Sequence, residues 1–218
     1  MSALQSHIER PGDTLYVCAT SRLAQTLRTI PPSDDCRVWR TPRTLTLGQW
    51  FADLGNEALI AGLDDLPHPL DSFSEGLLWE QVIASSLNDA AQLFDLGGMA
   101  SAAAEALALQ RNWMLPDTGA ELSSEGGLFL RWRDAFLDRC KEIDSLDLGG
   151  WNERVISLLE KGFFSIPGRL KVVGFDRTTP MENRLFAALA ARGSVVEFCP
   201  PSSVGKRVLH DDAVSAEI

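Results

Sequence analysis

Short β-prone runs lie near the two ends of this chain, and residues 56–160 between them carry helical spacing with no convincing strand. That distribution limits the fold more than any single motif does. Near the N-terminus, Thr14, Leu15, Tyr16, Val17, Cys18 and Ala19 follow the turn signal Pro11-Gly12-Asp13, which predicts a strand over 14–19. Thr20 or Ser21 then caps a helix with Leu23, Ala24 and Leu27 on one stripe, ended by Pro31-Pro32. A second strand is predicted over 36–39 (Cys36, Arg37, Val38, Trp39). Thr41-Pro42 leads on to Leu45-Thr46-Leu47, and a helix carrying Trp50, Phe51 and Leu54 begins near Gly48. At the other end, 170–175 reads as a strand, 180–191 as a helix with Pro180 in its first turn, and 194–199 as a strand. Strand–helix–strand alternation at both ends implies parallel pairing with right-handed crossovers. The simplest architecture is therefore an α/β fold whose single parallel sheet is assembled from both ends of the chain.

The middle reads as helix upon helix. Leu77, Leu78, Val82 and Ile83 follow helical spacing, as do Met99, Ala103, Leu107 and Trp113 in an alanine-rich run from Gly98. Leu128, Trp132, Phe136, Cys140 and Ile143 step by four or three, and 148–159 adds another helix. The expected division is a discontinuous core of 1–55 and 161–200, a large all-helical insertion over 56–160, and a linker over 201–218. The six tryptophans against one tyrosine read as core anchors.

Charge narrows the partners. The net charge is −10, but residues 51–150 hold 18 acidic against five basic side chains, while the two ends are near neutral. A phosphate-binding surface over the whole chain is excluded, because nucleic-acid affinity rests on cationic contacts. A narrow contact from the end segments is not. The four cysteines (Cys18, Cys36, Cys140, Cys199) form no CxxC pair, which argues against a zinc site or a disulfide scaffold and suits a reducing cytoplasm. No apolar stretch approaches the roughly 18 residues of a membrane span, and the first residues lack the apolar core of a secretory signal.

The architecture invites a test for nucleotide binding. A phosphate loop needs glycines that let the backbone wrap the phosphates and a lysine to reach them. The first lysine is Lys141, inside the helical block, and Gly205-Lys206 is followed by Arg207 and lies in the expected linker. The second requirement is a carboxylate at a strand end to hold magnesium. Asp176 stands alone just past 170–175; Asp176 or Thr178 equally serves as the cap of the following helix. Hydrolytic triads fare no better: His7, His68 and His210 fall in the N-terminal stretch, between Pro67 and Pro69, and in the tail. PD-(D/E)XK chemistry needs an acid–acid–lysine set on adjacent strands, and Glu197 alone, taken without a strand lysine, does not supply it. No catalytic residue, metal or cofactor is expected in this segment.

The run Val172-Val173-Gly174-Phe175-Asp176-Arg177-Thr178-Thr179-Pro180, with Leu185 and Leu189 behind it, resembles the GFD-x-x-TP segment of bacterial probable DNA repair proteins, relatives of the B subunit of AddAB helicase–nucleases. Four further segments are similar and fall in order: Val17 to Ala24, Thr41-Pro42 through Leu45, Leu47 and Trp50, Leu78 to Ile83, and Phe129 to Trp132 with Phe136 and Cys140. The resemblance covers most of 14–200. It implies a parallel sheet of the P-loop, superfamily 1 helicase type, followed in a longer parent by a PD-(D/E)XK nuclease part. Active helicases end the corresponding strand in Asp-Glu; the matching positions here are Val173 and Gly174, which with Asp176 make up a degenerate magnesium-site region.

Three readings compete. The first is an ATPase-inactive, helicase-like scaffold of a DNA repair nuclease that holds single-stranded DNA weakly or docks a helicase subunit. Its candidate DNA contacts are Thr20, Ser21 and Arg22, with Thr46 and Gln49 opening the next helix; helix N-terminal amides favour phosphate and Arg22 adds a charge-assisted bond. Capping by Thr20 or Ser21 and a surface arginine explain the same residues. The second is a protein-interaction module that uses the acidic helical block without touching DNA, which an exposed apolar patch there would favour. The third, an enzyme in its own right, lacks a credible site.

Overall fold

The computed structural model describes residues 14–29, 40–63, 66–116 and 123–199. The chain divides into two compact units. The sheet unit comprises Met1–Ile60, Leu158–Thr178 and Leu185–Ile218, and the helical unit Ala61–Ser157 and Thr179–Arg184.

The sheet unit holds four parallel strands in the order β2-β1-β5-β6: β1 is Thr14–Cys18, β2 Arg43–Thr46, β5 Arg169–Val173 and β6 Val195–Cys199. Both ends of the chain thus contribute two strands each, which is the α/β parallel sheet expected from the alternation. Because side chains alternate along a strand, Tyr16 and Cys18 share a face with Thr44, Lys171, Val173 and Cys199. Helix α1 (Ser21–Thr29) covers part of that face by packing Ala24 and Leu27 against Tyr16, Cys18 and Val173. On the other face, Leu15, Val17, Leu170 and Val172 are buried, and Phe186 of α7 (Pro180–Ala191) meets Phe198 edge-on at 5.5 Å. Helix α2 (Leu47–Ile60) buries Trp50, Phe51, Leu54 and Ala58.

One prediction in this unit, the end of β5, needs correction, and a strand forms where none was expected. The strand beside β1 is Arg43–Thr46; the strand expected over 36–39 lies outside the described residues, as do Pro31-Pro32 and the linker from 201. β2 reads as polar because of Thr44, yet that residue is 1% exposed. Its hydroxyl donates to the Ala24 carbonyl at 2.9 Å and accepts from Arg28 Nε at 2.7 Å, which offsets the cost of burying it. β5 ends at Val173 rather than Phe175, because Gly174 takes φ +79° and turns the chain out of the sheet.

The helical unit is built on α3 (Ser72–Leu87), α4 (Leu96–Asn112) and α5 (Ser124–Glu142), joined at its end by α6 (Leu148–Glu160), which continues past Ser157 into the sheet unit. Trp79 stacks on Phe136 with centroids 4.1 Å apart, surrounded by Ile83, Ala103, Leu107 and Cys140. Each helix opens on a side-chain cap: Asp71 accepts from the Ser74 amide at 2.8 Å, Asp95 from Gly98 at 3.1 Å, Ser123 from Gly126 at 3.2 Å and Asp147 from Gly150 at 3.2 Å. Arg111 then lies across Gly149 and Gly150, donating to Asp147 and to Glu153 at 2.8 Å each.

The stretch expected to be free of strands contains one short parallel pair, β3 (His68–Pro69) with β4 (Ser145–Leu146). Two residues a side are too few to leave a periodic signature. Leu77, Trp113 and Ile143, expected on buried stripes, are exposed by 45%, 45% and 48%; Trp113 and Ile143 fall at the C-caps of α4 and α5, past the last buried turn. Helix α7 starts at Pro180 as predicted, but its cap is neither Asp176 nor Thr178. Thr179 and Glu182 form a reciprocal box, with Oγ1 of Thr179 accepting from the Glu182 amide at 3.2 Å and Glu182 Oε2 accepting from the Thr179 amide at 2.7 Å.

Candidate functional site

Ligands of open parallel sheets bind outside the carboxyl ends of the strands, where the strand order reverses direction. In the order β2-β1-β5-β6 the chain runs outward from β1 to β2 and from β5 to β6, so the reversal falls between β1 and β5. The register makes that edge level: Cys18 is opposite Thr46 and Val173, and Val173 is opposite Cys199. Residues 19–22, 47–49 and 174–176 therefore leave the sheet at one edge; six of the eight residues singled out from sequence lie among them, and the other two, Thr46 and Val173, are the last residues of their strands.

The crevice itself is shut. The Ala19 amide donates to the Val173 carbonyl at 3.0 Å and the Gly174 amide to the Cys199 carbonyl at 3.1 Å, so the sheet ladder continues one residue past the strands. A Cβ on Gly174 would stand 2.6 Å from Leu23 Cδ2 and 3.8 Å from Ala19 Cβ. The Leu23 side chain thus rests on the Gly174 backbone where a phosphate-binding loop would open. This contact was invisible in the sequence, because it depends on which strand ends are neighbours.

Thr20 caps α1: its Oγ1 accepts from the Leu23 amide at 3.2 Å and its carbonyl from the Ala24 amide at 3.1 Å. Ser21 and Arg22 are exposed, and among the described residues the Arg22 guanidinium has no hydrogen-bond or ion-pair partner. Thr46 and Gln49 are less available than their position suggests. They form a capping box for α2, the Thr46 amide donating to Gln49 Oε1 at 2.9 Å and the Gln49 amide to Thr46 Oγ1 at 3.3 Å. Val173 is fully buried, Gly174 is the turn, and Asp176 is exposed; among the described residues no group of three or more His, Cys, Asp or Glu side chains is placed to hold a metal ion.

Lys171 corrects the statement that no strand lysine accompanies Glu197. It lies in β5, in register with Glu197 of β6 and Tyr16 of β1, 2% exposed and with Nζ 5.6 Å from the Tyr16 ring centroid. Two residues earlier on the same strand, where an acid–x–lysine pair would carry its acid, stands Arg169, whose Nε is 3.6 Å from Glu197 Oε1. The acid–acid–lysine set therefore fails on its second acid rather than on its lysine. The buried thiols of Cys18 and Cys140 are shifted away from the nucleophilic thiolate form. Burial pushes Cys18 up to about 11 against the opposing pull of Arg28. Cys140 is pushed up to about 12 by burial, with Asp147 and Glu75 adding to the effect and Arg111 opposing it.

A pocket that the sequence did not signal opens at the other edge, lined by Arg43, Trp50, Asp53, Leu54, Glu57 and the 165–167 turn, with a volume of about 150 Å³. Ligand sites usually occupy roughly 300–1,000 Å³, so this one has room for a single side chain. No helix among the described residues is long and apolar enough to cross a membrane. Compared with known proteins, the chain matches no family model and no curated sequence.

Proposed function

We propose that this chain is an ATPase-inactive, helicase-like scaffold of a DNA repair nuclease, in which the helical unit is inserted between β2 and β5 of a superfamily 1-type core. The observation that carries this reading is the parallel sheet assembled from both chain ends, with its reversal point closed by Leu23 on Gly174. An AddB-like protein would keep the helicase frame to position DNA while a separate nuclease part cuts it. The carboxyl edge of the sheet supplies a DNA contact of limited strength. The α1 N-terminus presents its dipole there with Arg22 beside it, and unlike α2 it carries no Glu or Gln at its third position to fold back over its amides. The charge distribution agrees: Ala61–Ser157 and Thr179–Arg184 hold eighteen acidic and seven basic side chains, a net −11, and the rest of the chain is +1. Only the sheet unit is compatible with a polyanion.

Fluorescence anisotropy with a labelled single-stranded oligonucleotide over a salt titration tests this. The wild type should bind weakly, and Arg22→Ala should bind more weakly still, with the salt slope reduced by about 0.7, the value for one phosphate contact on a single strand. Identical affinity and slope for the two proteins would remove the DNA contact from the proposal.

A second reading, a protein-docking module with no direct DNA contact, is favoured by one feature of the helical unit. Phe73, Leu77, Leu93, Phe94, Leu109, Trp113, Met114, Leu115 and Leu148 are all 45% exposed or more. So many large apolar side chains on a strongly acidic unit suit a partner surface better than bulk solvent.

A further inference from the structure

We propose that the pocket at the amino edge of the sheet is a receptor for a lysine side chain of another protein. It lies at the end of the sheet opposite the DNA contact proposed above and goes beyond that reading, which stands or falls without it.

The pocket has fixed walls. Trp50, Asp53, Leu54 and Glu57 recur at three- and four-residue steps, so they share one side of α2. Trp50 and Leu54 are 3% and 4% exposed and form its apolar, inner part, while Asp53 and Glu57 are exposed at the surface. The rest of the wall is the 165–167 turn, which is tied down on both sides. Arg192 Nη2 donates to the Phe164 carbonyl at 2.8 Å, and Ser194 Oγ donates to the Pro167 carbonyl at 2.8 Å. Walls that are held before a ligand arrives lower the cost of binding it.

The charges on those walls select the kind of side chain. α2 contains no basic residue, so Asp53 and Glu57, four apart, are like charges side by side with no cation on their own helix. Among the described residues neither carboxylate has a hydrogen-bond or ion-pair partner. Nor does Arg43, which lines the same pocket from the start of β2. Exposed acids of α5 are answered within their helix, Asp138 by Lys141 and Glu142 by Arg139. The pocket thus sets two unanswered carboxylates against one guanidinium, and its charge favours a cation.

Lysine meets both demands. Its ammonium is the cation that the carboxylates lack, and its four-carbon stem can lie along Trp50 and Leu54 with the charge kept at the surface. A compact ammonium on a flexible stem suits so small a pocket better than the planar fork of arginine. The volume of about 150 Å³ holds one side chain and leaves no room for the ammonium and carboxylate of a free amino acid, so the lysine belongs to a polypeptide.

The indole N–H resonance of Trp50, followed in the full chain, tests this with three probes: the Nα-acetyl methylamides of lysine, norleucine and arginine. The lysine probe should shift it saturably at about millimolar concentration, and norleucine, with the same stem and no charge, should not. Asp53→Asn and Glu57→Gln should each weaken the lysine probe by about two- to fivefold. Both should leave the thermal midpoint unchanged, because neither side chain has a partner to lose. Arg43→Gln should tighten binding by a similar factor, since it removes the like charge. Weaker lysine binding by Arg43→Gln, or equal shifts with lysine and norleucine, would overturn the proposal. Tighter binding of the arginine probe, or of free lysine, would overturn the choice of occupant. A shift gained only on removing residues 1–13 would give the pocket to this chain's own N-terminal segment and overturn it as well. Absence of any saturable shift would remove the receptor and leave the DNA contact at Arg22, on the other edge, to its own test.

Discussion

Replacing Gly174 by alanine probes the closed crevice directly. Alanine at φ +79° is held in the left-handed region, at a cost of about 1–2 kcal/mol. Its Cβ would also stand 2.6 Å from Leu23 Cδ2, so Leu23 must leave its rotamer, adding about 0.5–1.5 kcal/mol. The sum is about 1.5–3.5 kcal/mol. Only the second part depends on Leu23. In a Leu23→Ala background, Gly174→Ala should therefore cost only the backbone share, and the double-mutant cycle should return a coupling of about 1 kcal/mol. The two units need not unfold together, so a single global melting curve is a poor assay. Hydrogen exchange at the Ala19 amide, which is bonded to the Val173 carbonyl, reports opening of the sheet at this point. Gly174→Ala costing the same with and without Leu23 would refute the idea that the leucine fills the crevice.

Three other outcomes are expected. Thr46→Ala should destabilise the sheet unit by about 1 kcal/mol in urea unfolding, because the α2 cap loses its side-chain acceptor. Arg111→Ala should destabilise the helical unit by about 3 kcal/mol, since it leaves Asp147, 3% exposed, without its guanidinium; exposure of Trp79 and Trp132 to a fluorescence quencher reads this out. Glu75 has its pKa raised, first by burial and then by Asp147, so the folded state holds the proton to higher pH than the unfolded chain does. Stability from this group is greatest below the ordinary glutamate value and falls as pH rises through the raised one. Glu75→Gln should accordingly be more stable than wild type at neutral pH, and the difference should vanish on acidification; thermal midpoints taken across that range would show it.

The parts of the fold that sequence exposed are those whose physics is local. The apolar run 14–18, the proline start of α7 and the four-step spacing of Trp132, Phe136 and Cys140 each declare their element without reference to the rest of the chain. What stayed hidden depends on partners distant in sequence. Thr44 looks like a loop residue until Ala24 and Arg28 satisfy its hydroxyl. β3 and β4 exist only through each other. The cap of α7 is Thr179 rather than Asp176 or Thr178, a choice that neighbouring capping residues leave open until Glu182 reaches back to one of them. The candidate site divides the same way. Thr20 as a cap and Arg22 as an exposed cation follow from helix-start rules. The register that lines up Cys18, Thr46, Val173 and Cys199, and the packing of Leu23 on Gly174, required the sheet.

Amide chemical-shift mapping of the full chain, titrated separately with magnesium–ATP and with a single-stranded oligonucleotide, tests the central claim most directly. A crevice closed by Leu23 predicts that millimolar-range nucleotide leaves Ala19, Leu23 and Gly174 unmoved, whereas the oligonucleotide shifts Thr20, Ser21 and Arg22. Saturable shifts at Ala19, Leu23 and Gly174 with magnesium–ATP would mean that the sheet edge still admits a triphosphate, contrary to everything argued from that contact.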